Sequence, residues 1–145
     1  MFYSKDRNQI RGFFRSSWQK FISKQPVEPL EALVGEVVSM HPEYHPMLEN
    51  RQDDLGRDYQ PEDGQTNPFL HMGMHITLRE QFASNHPDGI ESIYKKVLNK
   101  TGDPHKTEHL MMDCLAESLW QAQRKNELPE DQAYIQCLKQ IINRY

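Results

Sequence analysis

With 145 residues, 37% of them hydrophobic and 26% charged, the chain has the size of one ordinary domain with a single sizeable core. Its net charge is −4, and no apolar run approaches the roughly 18 residues that would cross a bilayer, so a membrane span is excluded. The stretch MFYSKDRNQIRGFF lacks the apolar block and small-residue cleavage site of a secretory signal, and the expected location is the cytoplasm.

Ser4 to Phe21 reads as the first helix, because Ile10, Phe13, Phe14, Trp18 and Phe21 recur at steps of three or four residues. Residues 1–24 carry six bases against Asp6, a net +5, whereas residues 28–64 carry ten acids against Arg51 and Arg57, a net −8. Two solvated faces explain this asymmetry, and so does docking of an acidic protein partner on the basic helix at residues 4–24.

Pro26 and Pro29 precede a second helix, about Glu28 to Met40, with Leu30, Leu33, Val34, Val37 and Val38 as its stripe. Pro42 and Pro46 turn their preceding histidines away from helical geometry, so HPEYHP is a turn or a single tight helical turn. Residues 50–66 have no apolar periodicity and contain Gly56, Pro61 and Gly64, which predicts a long acidic connection without a complete calcium-loop spacing.

Asn67 and Pro68 mark the start of the central helix, NPFLHMGMHITLREQF, with Asn67 as cap and Pro68 at the first helical position. His71 and His75 share one face with Leu78 and Phe82, while Gly73 lies opposite and suggests close approach of another helix. A fourth helix follows with Ile90, Ile93, Tyr94, Val97 and Leu98, stopped by Thr101 and Gly102. Asp103 caps and Pro104 opens a fifth, running to about Arg124, whose expected buried side is His109, Met112, Leu115, Ala116, Leu119 and Trp120. Pro129 opens the last helix, with Tyr134, Cys137, Leu138, Ile141 and Ile142 inward. Cys114 and Cys137 lie in apolar helical contexts without zinc-knuckle or redox-motif spacing and are expected as buried free thiols.

No strand pattern survives, so the fold class is all-α: residues 1–145 as a single-domain antiparallel helical bundle of about six helices. The segments HPEYH at 41–45, NPFLHMGMHITLREQ at 67–81 and EHLMMDCLAESLWQAQ at 108–123 together resemble the bacterial family catalogued as domain of unknown function 1841, over nearly the whole chain. The resemblance implies a small bacterial helical protein and carries over no catalytic residue.

Six of the seven histidines come in pairs four apart: His41 and His45, His71 and His75, His105 and His109. On a helix, imidazoles at this spacing can hold one metal ion together. The metalloprotease pattern is excluded, since Met72 and Lys106 stand where its glutamate belongs. Ferritin-like Glu-x-x-His pairs, Ser-His-Asp arrangements, phosphate loops and nucleic-acid motifs are missing as well.

If successive helices run antiparallel, all three pairs share one end of the bundle, with His75 roughly 10 Å and His109 roughly 8 Å into their helices at about 1.5 Å per residue. Glu43, Asp103 and Glu108 are further oxygen donors near that end, although surface positions and capping explain them equally well. Two functions follow. One is a protein that binds a transition metal such as zinc or iron through these six histidines, with hydrolytic or redox chemistry open to it. The other is a non-enzymatic interaction module whose histidines are polar core residues.

Overall fold

The computed structural model describes residues 7–49 and 67–144. The expected acidic connection at 50–66, and residues 4–6 of the expected first helix, lie outside the described residues. Those described form seven α-helices and one 3-10 turn, with no strand among them, so the chain is all-α. No helix among them is long and apolar enough to cross a membrane. The chain divides into two compact units, Met1–Ile76 and Thr77–Tyr145.

The first unit holds α1 (Arg7–Ile22), α2 (Pro29–Ser39), a 3-10 turn (Pro42–Tyr44), α3 (His45–Glu49) and the start of α4 (Pro68–Ser84). Its core joins Phe14 and Trp18 of α1 to Val34, Val37 and Val38 of α2, Leu48 of α3, and Phe69, Met72 and Ile76 of α4. The aromatic stripe of α1 is therefore core. Glu28 and Glu31 form a reciprocal capping box at the start of α2, in which the Glu28 amide donates to Glu31 Oε1 at 2.9 Å. The other oxygen, Oε2, accepts from Lys20 Nζ at 2.8 Å and ties α2 to α1. Gly35 makes the close approach of these helices possible, because a Cβ there would run into the Phe21 ring. Part of the basic face of α1 is also occupied: Arg11 is buried with its guanidinium 4.8 Å from the Phe69 ring centroid, and Arg15 Nη2 donates to the Met47 carbonyl.

Asn67 caps α4 as its sequence predicts, its Oδ1 accepting from the amides of Phe69 at 3.0 Å and Leu70 at 3.2 Å. At Gly73, no described residue lies within 4 Å of a Cβ built there.

The second unit comprises the rest of α4, then α5 (Ile90–Thr101), α6 (Pro104–Lys125) and α7 (Asp131–Arg144). Ile90, Ile93, Val97, Met111, Leu115, Leu138 and Ile141 are buried there. Gly102 takes the left-handed conformation (φ 72°) that ends α5, and Asp103 Oδ1 accepts from the His105 amide to start α6. The last helix begins at Asp131, two residues after Pro129, and the first bond into it runs from the Tyr134 amide to the Glu130 carbonyl.

The expected buried side of α6 is right at Met112 and Leu115 and wrong at His109, Ala116 and Trp120, which are exposed. Along the last turns, Ser118, Gln121 and Ala122 face a cleft shared with α7, and Trp120 stands roughly 200° round the helix from Ser118 at 3.6 residues per turn. The cysteines are a second correction. Cys114 and Cys137 are joined in a disulfide, not left as free thiols. The short join after α6 brings α7 back beside it, and the two Cα atoms come to 5.7 Å, within bridging range, a proximity that sequence spacing does not encode.

Candidate metal centre

In the first unit the chain leaves α2 through Met40 and enters the 3-10 turn at His41, whose amide donates to the Val38 carbonyl at 2.9 Å. Pro42 prevents α2 from continuing, so the His41 ring folds back along the helix, where its Nδ1 donates to the Val37 carbonyl at 2.7 Å. That bond places the ring proton on Nδ1 and gives Nε2 the lone pair, the tautomer that a metal ligand requires.

His71 and His75, one turn apart on α4, meet the His41 ring. The three centroids form a nearly equilateral triangle: His41 to His71 5.0 Å, His41 to His75 4.8 Å, and His71 to His75 4.9 Å. His41 is 2% exposed and His75 fully buried, while His71 is half-buried. With metal–nitrogen bonds of about 2.0–2.1 Å and a ring radius near 1.1 Å, two imidazoles on one ion have centroids roughly 4.5 Å apart at right angles and roughly 5.2 Å apart at the tetrahedral angle. The His41–His75 separation falls between these values.

Tyr44 completes the wall, its ring stacked on His41 at 5.6 Å and edge-on to His71 at 6.3 Å. Burial, and then the nearby Glu43 charge, push its phenol above the usual tyrosine value, so it keeps its proton. His45 is engaged elsewhere, with Nε2 donating to the Val38 carbonyl at 2.8 Å and its ring 4.5 Å from that of Trp18.

In the second unit His105 and His109 occupy successive turns at the start of α6, ring centroids 4.2 Å apart. Although His109 is exposed overall, the partial desolvation of its ring, and then the His105 neighbour, lower its pKa against the opposite pull of Glu108, Asp103 and Asp113. A lowered value keeps this imidazole neutral, with a lone pair to offer, at neutral pH. Of the acids near this end, Asp103 serves as the helix cap and Glu43 is exposed. Glu108 is buried and receives Arg79 Nε at 3.3 Å, an ion pair within this unit.

The family model described as domain of unknown function (DUF1841) matches residues 6–140. The chain belongs to that family. Membership in DUF1841 names no ligand and no reaction, so the chemistry has to be argued from the side chains themselves. The curated proteins and the solved structures contain no match to the chain.

Sequence spacing thus singles out His71 and His75 as neighbours and His105 and His109 as neighbours, and both pairs are found. It pairs His41 with His45, whereas His41 turns to the α4 histidines and His45 to Trp18. The Val37 carbonyl and Tyr44 escape sequence reasoning altogether. Only Pro42, which stops α2 one residue past His41, hints that this ring doubles back.

Proposed function

We propose that the protein binds one transition-metal ion of the zinc or iron class through imidazole, with His41 and His75 of the first unit as its protein ligands. His71 lines this site and His45 stands outside its ligand shell. The observation that carries the reading is the His41–His75 pair: two buried rings at the separation of ligands on one ion, with the His41 tautomer set by a backbone carbonyl. Imidazole suits zinc, iron, copper and nickel over calcium or magnesium, and His41 held from Val37 has the outer-shell support typical of metal-bound histidine. Neutral imidazole ligands leave the ion its full positive charge, which suits polarising a bound water or carbonyl if a coordination position stays open. We place this activity in the cytoplasm.

The test is metal analysis of the full-length protein purified without a histidine tag, before and after chelation and after return of zinc chloride or anaerobic ferrous iron. The expected result is about one equivalent per chain, removed by the chelator and regained by one of the two salts. Protein that arrives metal-free and takes up neither ion overturns the reading and leaves the histidines as polar core.

A further inference from the structure

The disulfide lies on the wall of a cleft that the histidines do not share. Cys114 of α6 and Cys137 of α7 border a cavity of about 350 Å³ together with Glu117, Lys125, Glu130 and Tyr134. Cys114 is 4% exposed, whereas Cys137 is only half-buried.

We propose that this cleft is a thiol–disulfide exchange site for a small peptidic thiol. Exchange requires a thiolate to reach one sulfur of the bridge in line with the bond, and the cleft brings it to Cys137, the less buried of the two. The charges suit a zwitterionic peptide: Lys125 receives its carboxylate, and Glu117 with Glu130 its ammonium group. The incoming sulfur bonds to Cys137 Sγ as the bridge breaks. The bonding pair leaves on Cys114 Sγ, which then takes a proton from solvent. A second molecule of the thiol, as thiolate, attacks the peptide sulfur of the mixed disulfide and releases Cys137 as thiolate. Two peptidic thiols are thereby oxidised to their disulfide, and the protein bridge gains two electrons to become a dithiol. A reducing cytoplasm supplies thiols of this class, and a bridge that opens to them fits the location given above.

The experiment treats oxidised full-length protein with millimolar reduced glutathione at neutral pH, with mass spectrometry for the bridge and circular dichroism for the fold. The bridge should open while the helices persist. With oxidised glutathione, Cys114→Ser should gain one adduct on Cys137, and Cys137→Ser should gain its adduct on Cys114 about tenfold more slowly. Lys125→Glu should slow opening by glutathione about threefold and leave opening by neutral dithiothreitol unchanged, because only the peptide carries the carboxylate. Should either cysteine variant fail to fold, the wild-type and Lys125→Glu rates decide. A bridge that resists both thiols until the protein is denatured, equal adduct rates at the two cysteines, or equal slowing of both thiols by Lys125→Glu overturns the proposal.

Discussion

His41 and His75 stand with ring centroids 4.8 Å apart and ring planes at 56°, one just past the end of α2 and the other in the middle of α4. That separation suits two rings on one ion, and only an unprotonated imidazole has the lone pair to bind it.

His75→Ala should therefore lose bound metal and, because its side chain is fully buried, also about 2–4 kcal/mol of stability. His71→Ala, half-buried beside the site, should keep its metal and lose less stability. Metal content and thermal melts of the two variants separate the roles. If His71→Ala loses its metal, that residue is a ligand as well. Affinity in the wild type should also fall as pH drops below about 6.5, where free imidazole takes its proton.

Arg11→Gln should destabilise the protein by about 1–2 kcal/mol, since Arg11 is buried against the Phe69 ring and the exchange removes a cation–π contact in a desolvated place. Lys24→Gln, at an exposed position, should leave the melting temperature unchanged. The contrast bears on the idea of a partner docking on the basic helix. Lost binding after neutralising Arg11 would report damage to the core as readily as loss of a contact, so exposed Lys24 and half-exposed Lys20 are the residues to vary in a docking experiment.

Gly35→Ala should be destabilising in spite of alanine's higher helix propensity. The added methyl would meet the Phe21 Cβ at 2.8 Å as well as the ring, so the side chain cannot simply rotate away. Overpacking of this kind costs roughly 1–3 kcal/mol against a propensity gain of about 1 kcal/mol, and a net loss is expected in urea unfolding. An equally stable variant would mean that α1 shifts freely against α2.

The helices were legible because their signals are local. Asn67-Pro68 and Asp103-Pro104 mark helix starts by donor chemistry and fixed φ, and Gly102 marks a stop by its left-handed conformation. The two four-residue histidine pairs on α4 and α6 were legible for the same reason. What could not be read were relations set by tertiary return of the chain. The Cys114–Cys137 bridge depends on how α7 folds back, and Arg11 looks like a surface base until Phe69 is known to cover it. Gly35 makes a close helix contact for the same kind of reason, since only the Phe21 ring brought beside it shows that a Cβ there has no room.

The last prediction concerns acid. Glu31 has its pKa held below 4.5, first by the Glu28 amide that donates to it and then by the hydrogen bond from Lys20. The unfolded chain offers neither partner, so between the folded and unfolded values the unfolded state binds more protons. Stability must then rise with pH through that window. The contribution of Glu31 is fully present above the unfolded value and is lost as pH falls through the folded one. Glu31→Gln keeps an oxygen to accept the Glu28 amide but loses the charge that attracts Lys20. It should therefore flatten the decline of the urea midpoint below about pH 4.5 and lower that midpoint modestly at neutral pH. Measuring midpoints for both proteins from about pH 3 to pH 7 checks this. Parallel curves with the same acid slope would show that the ionised Glu31 adds nothing to the join between α1 and α2.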